Sequence, residues 1–152
     1  MLSMKAKYGL RAMTVLAREY GRGPVLIADL ATAESIPRKF LELILLELKR
    51  KGILESKKGK GGGYHLRKHP SQISVGELIR TLDGTIALLP CVSQTAYRRC
   101  EECIDETTCG IRSVMKEVRD ATAEILDGTT LEEMIRRSHR LSEAGKPVMY
   151  HI

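Results

Sequence analysis

The chain has 152 residues, 43% hydrophobic, 29% charged and only 4% aromatic, a balance that fits one helix-rich domain, or a small domain with an appendage, and argues against a β-sandwich. No apolar run approaches the roughly 18 residues of a membrane span, and the stretch Met1–Lys7 lacks the unbroken apolar segment of a signal peptide; the expectation is a cytoplasmic protein in a reducing compartment, with no membrane partner. The formal net charge of +6 is unevenly spread, with 15 Lys and Arg against 6 Asp and Glu in residues 1–70 but 10 against 13 in residues 71–152.

A basic N-terminal half on a near-neutral body is the footprint of a polyanion binder, or merely a basic surface, and the order of elements decides between them. The first helix runs from about Ser3 to Arg22, with Tyr8, Leu10, Ala12, Met13, Leu16 and Ala17 near helical spacing. It stops at Gly21-Arg22-Gly23-Pro24. A short helix follows from Ile27 to Glu34, turning Leu30 and Ala31 inward. Ser35 and Ile36 make a tight turn, and Pro37 opens a helix to Lys51 that packs with Phe40, Leu41, Ile44, Leu45 and Leu48. Short helix, tight turn and second helix form a helix-turn-helix, whose second helix enters the major groove. Arg38 and Lys39 then stand at the N-terminal end of the reading helix.

After Gly52, Ile53–Ser56 and Gly63–Leu66 read as two strands of a hairpin around the tip Lys57-Lys58-Gly59-Lys60-Gly61-Gly62. Glycine there lets the backbone come close to a partner, and Lys57, Lys58 and Lys60 make phosphate the natural one. A dinucleotide loop would have to open a helix after a strand, whereas this segment turns back into a strand. Tyr64 and Leu66 are expected to pack the wing rather than read bases. Ser74 caps a helix over Val75–Leu82, with Glu77 at the capping-box position, and Asp83-Gly84 ends it. Residues 85–109 form a loop holding every cysteine.

A long helix follows from about Thr108 to Leu126, with the stripe Ile111, Val114, Met115, Val118, Ala121, Thr122 and Ile125. Little else in so short a chain could cover that stripe, so it is expected to pair with a second copy. Thr129 or Thr130 caps a last helix from Leu131 to about Leu141, and the tail 142–152 is expected to be mobile. The expected fold is thus mainly α: a winged helix-turn-helix domain over 1–83, a cysteine-containing sensor loop over 84–109, a dimerisation helix and short C-terminal helix over 110–141, and the tail.

Four segments carry a resemblance: Lys7-Tyr8-Gly9-Leu10-Arg11-Ala12-Met13, Ile36-Pro37-Arg38-Lys39-Phe40-Leu41-Glu42, Lys58-Gly59-Lys60-Gly61-Gly62-Gly63-Tyr64 and Ile73-Ser74-Val75-Gly76-Glu77-Leu78-Ile79. Over residues 1 to about 126 the chain resembles the Rrf2 family of bacterial winged-helix transcription regulators. The resemblance implies a homodimer on a pseudo-palindromic double-stranded operator, and no enzyme. The expected DNA-contacting residues are Lys5, Lys7, Pro37, Arg38, Lys39, Lys57, Lys58, Lys60, Gly61 and Gly62. Ile111, Val114, Met115, Val118, Thr122 and Ile125 are expected in the dimer seam.

Cys91, Cys100, Cys103 and Cys109 are spaced C-x8-C-x2-C-x5-C, outside any core-forming stripe. A reducing compartment disfavours stable disulfides, leaving a metal site or a redox site. An iron–sulfur cluster (2Fe–2S or 4Fe–4S) is the first expectation, with zinc, or no metal and a thiol switch, as alternatives. A thiol oxidoreductase built on Cys100-x-x-Cys103 would need a βαβ framework, which the pattern does not offer. The family resemblance aligns Cys91, Cys103 and Cys109 with the three family cysteines, six residues being inserted after Cys91, and makes Cys100 additional. Where some cluster-binding members have a histidine three residues after the last cysteine, this chain has Arg112; where others have a carboxylate before the N-terminal tyrosine, it has Lys7. An all-cysteine site is the economical expectation. Control by a partner protein or a small ligand, with zinc or free thiols in the loop, is the alternative reading.

Overall fold

The computed structural model describes residues 1–145; of the expected mobile tail, 146–152 lie outside the described residues. The chain forms helices α1 (Met4–Arg18), α2 (Ile27–Glu34) and α3 (Arg38–Arg50), then strands β1 (Leu54–Lys57) and β2 (Gly63–Leu66). Helices α4 (Val75–Asp83), α5 (Gly110–Gly128) and α6 (Leu131–Ala144) complete it, with short 3-10 turns at Pro70–Gln72 and Pro90–Val92. Mainly α with a two-stranded wing is the architecture expected from the sequence.

Local chemistry explains most boundaries. The Ser3 hydroxyl accepts from the Ala6 amide at 3.0 Å and starts α1. That helix ends at Arg18, short of the expected Arg22, because the chain turns through Gly21 and Gly23, both at positive φ. Ser35, the one described non-glycine residue at positive φ, turns α2 into α3. Pro37 stands at the N-cap with extended backbone rather than in the first turn, its carbonyl accepting from the Leu41 amide at 2.9 Å. The first strand begins at Leu54, one residue later than expected: the Ile53 amide still bonds the Leu48 carbonyl at 3.0 Å and belongs to the turn that closes α3. The last helix extends through Ser142, Glu143 and Ala144, so those three residues are helical rather than part of a mobile tail.

Leu54 pairs with Leu66 and Lys57 with Gly63 in the antiparallel hairpin. Val25 makes a third rung, trading hydrogen bonds with Tyr64 at 2.8 and 2.9 Å, which ties the wing to the segment before α2. The core gathers Met13 and Leu16 of α1, Leu30 of α2, and Leu41, Ile44, Leu45 and Leu48 of α3, with Leu66, Leu78 and Leu131. Leu131 places α6 in this same core: it folds back on α1, with the Leu131 amide bonding the Ile73 carbonyl at 3.0 Å and the Val75 amide bonding Thr129 at 2.8 Å. The sequence pattern grouped α6 with α5, but the packing joins it to the N-terminal domain. No residue of α5 is buried, and it touches only α4 and the turn at Pro90–Val92 in quantity. Among the described residues no helix is long and apolar enough to cross a membrane.

Candidate nucleic-acid interface and cysteine cavity

One face of α3 buries Leu41, Ile44, Leu45 and Leu48; the face turned away carries Arg38, Lys39, Glu42, Leu43, Lys49 and Arg50. The Arg38 guanidinium pairs with Glu42 one turn on, at 3.3 Å, while Lys39 has no acidic partner among the described residues. Lys49 donates to the Ser56 hydroxyl at 2.7 Å and so fixes the helix to β1.

The wing tip is built for close approach. A β-carbon on Gly62 would overlap the carbonyl of Lys57, and one on Gly63, itself at φ +144, would overlap the carbonyl of Val25. Gly59 and Gly61 both sit at positive φ. Lys57, Lys58 and Lys60 are exposed and without acidic partners among the described residues. Leu66 is buried and Tyr64 half-buried against the core, in wing-packing positions.

The two lysines expected near the start of α1 diverge, because two residues turn a helix by about 200°. Lys5 ion-pairs with Glu47 of α3. Lys7 lines the groove between α1 and α6 beside Arg11 and Met134, on a different side from the pair with α3.

The four cysteines line one cavity of about 530 Å³, together with Leu89, Ile104, Ile111 and Arg112. Cys91 sits in the turn Pro90–Val92 and is only 4% exposed, a burial its place in a loop did not announce. The Cys103 amide closes a turn on the Cys100 carbonyl at 3.2 Å, and Arg99 straps that turn through the carbonyls of Cys103 and Ile104. Cys109 caps α5, its Sγ accepting from the Arg112 amide at 3.4 Å. The neighbouring Cys91 thiol raises the pKa of the Cys100 thiol, first by hydrogen bonding and then by charge repulsion. Among the described residues the buried Arg112 Nε has no hydrogen-bond partner, so a guanidinium edge stands unsatisfied beside the thiols.

Four soft sulfur donors on one cavity suit a thiolate-ligated iron or zinc centre. Among the described residues, however, no three Cys, His, Asp or Glu side chains stand close enough to grip an ion as they are. Binding a metal here requires the loop to draw its thiols together.

Two connections escaped the sequence pattern. Arg119, with a side chain only 12% exposed, donates from Nη1 to the Val92 carbonyl at 2.5 Å and pins the turn holding Cys91 to the middle of α5. Arg80 of α4 grips Asp127 at the end of α5 in a two-pronged pair at 2.6 and 2.9 Å. No local spacing rule reports contacts between residues so far apart in the chain.

The α5 stripe divides. Ile111, Val114, Val118 and Ile125 are exposed, while Met115 and Thr122 are half-buried on its flank.

The model of a family described as Rrf2, iron-dependent transcriptional regulator, matches residues 2–137. An rrf2-like HTH-type transcriptional regulator of Rhodobacter capsulatus is 43% identical over 89% of this chain and 92% of its own length. The HTH-type transcriptional regulator CymR of Bacillus subtilis is 32% identical, with 88% of each chain covered. The solved structure of this global cysteine regulator superposes with a TM-score of 0.75 over 90% of this chain and 97% of its own, at 31% identity. The structure of T. potens IscR also gives 0.75, at 29% identity, covering 99% and 94%.

Proposed function

The chain belongs to the Rrf2 family of winged-helix transcriptional regulators, and from that premise we propose that it works as a homodimer on a pseudo-palindromic duplex operator and is controlled through its cysteine cavity. The observation that carries the DNA-binding reading is the wing: three lysines, without acidic partners among the described residues, on a glycine-locked loop. In this reading α3 lies in the major groove, Arg38 and Lys39 at its N-terminal end meet the groove wall, and Lys57, Lys58 and Lys60 hold the phosphates beside it. The backbone at Gly61 and Gly62 comes close enough for amide contacts. Pro37 sets the angle at which α3 enters, and Lys5 sits just behind the reading helix through its pair with Glu47. The exposed stripe Ile111, Val114, Val118 and Ile125 pairs the two copies, with Met115 and Thr122 on its flank.

Cys91, Cys103 and Cys109, with Cys100 as a fourth donor, would hold an iron–sulfur cluster. Such a cluster supplies a one-electron redox centre that oxidants destroy. The family's description as iron-dependent supports this reading over zinc. This chain's own residues supply the transmission: Cys109 caps α5 and Arg119 ties the Cys91 turn to it, so gathering the thiols pulls on the dimer helix. A thiol switch is the second reading, favoured by all four thiols lining one cavity.

The test replaces Lys58 and Lys60 together by Ala, in a binding titration on a duplex that the wild-type chain enriches from a random pool. Two lost phosphate contacts lower the slope of log affinity against log salt by about 1.8. An unchanged slope overturns the assignment of the wing.

A further inference from the structure

Leu43 is 64% exposed and is the one large apolar side chain of α3 left so open. At 100° per residue, Lys39, Leu43, Leu46 and Arg50 fall in one line along α3. That line runs directly opposite the buried row Leu41, Ile44, Leu45 and Leu48. It has cations at its two ends and leucines in the middle, Leu46 being half-buried beside the exposed Leu43. Such a line matches a DNA major groove: the walls are phosphate, and the floor carries one apolar feature, the C5-methyl group of thymine. Basic residues at both ends and the lysine wing nearby disfavour an apolar protein surface as the partner. On this face Glu42 is paired with Arg38 and Lys49 with Ser56, so among the described residues the free polar groups of the line are Lys39 and Arg50 at its ends, and its centre is apolar.

We propose that Leu43 is a specificity-determining residue that recognises a thymine methyl group in each operator half-site. The inference rests on α3 being the groove-entering helix. It adds apolar contact as the source of sequence preference at one position, separate from any contact that lysine and arginine make.

Replacing thymine by deoxyuridine removes the methyl group and leaves every hydrogen bond of the base pair intact. The full-length wild-type chain is used to enrich duplexes from a random pool, and each thymine of the enriched duplex is then replaced in turn. Wild-type affinity should fall about fourfold at one thymine per half-site, the worth of one buried methyl or methylene group. Leu43→Ala should bind the thymine duplex about fourfold more weakly and show no loss at that position, with its salt slope unchanged. Leu43→Met, which keeps the volume, should retain the sensitivity. The proposal is overturned if no thymine responds in wild type, or if Leu43→Ala stays as sensitive as wild type. A pool that yields no enriched duplex overturns the DNA-binding reading itself, and this proposal with it.

Discussion

Gly76 of α4 has no room for a side chain, because the carboxylate of Asp127 occupies the place where its β-carbon would stand. That carboxylate is held there by the Arg80 fork, whose hydrogen bonds keep its pKa below the usual carboxylate range. A lowered folded-state pKa contributes stability above the unfolded value near 4 and loses it as pH falls through the folded one. Asp127→Asn should therefore cost about 0.5–1 kcal/mol at pH 7, the upper range for a half-exposed pair. The gap from wild type should close as urea midpoints are followed below about pH 4; a gap independent of pH would remove the pair from the account. In the sequence Asp127-Gly128 reads only as a helix stop. The caps at Ser74 and Thr130 were legible because their partners lie three residues away. Arg80 and Arg119 were not, because their partners are brought near only by the fold. Leu43 left a signal in its absence from the α3 core stripe, a negative feature that a search for apolar periodicity passes over.

Helix α5 is the element with the most unexplained surface, 19 residues with none buried and four apolar side chains in one open row. A charge set in the middle of that row would be buried without a partner on pairing. Val114→Glu or Val118→Glu should weaken self-association by more than about a hundredfold, roughly 3 kcal/mol. Sedimentation equilibrium should then report the 17.0 kDa of one chain, and a variant that keeps twice that mass would move the seam elsewhere. Periodicity located this helix, the helix-turn-helix and the wing, since each is written in residues close together. The return of α6 was illegible: its short apolar face reads the same whether it covers a partner or, as found, α1. The bridge from Ser74 to Thr130 that decides the matter joins distant segments.

At the scale of the whole molecule, no residue of α3 lines the cysteine cavity, and in the proposed function the signal passes through α5 and its contacts with α4. Arg119 is one of the two links on that route, tying the Cys91 turn to α5 as Cys109 ties the loop to its N-terminus. Arg119→Ala should leave all four cysteines able to take up iron and sulfide under anaerobic reconstitution. The ratio of operator affinities with the site loaded and stripped by a chelator, normally about 5–150-fold for a coupled system, should fall toward one. A full response in that variant would route the signal around Arg119. The bridge between Val25 and Tyr64 bears on what the other end of the route can do. It welds the wing to the approach of α2, and Lys49 with Ser56 welds it again to α3. In the proposed dimer each half is then a stiff caliper jaw rather than a hand with separate fingers. On this reading the adjustable dimension is the proposed α5 seam, so the molecule gauges the distance between two half-sites before it reads the letters within either.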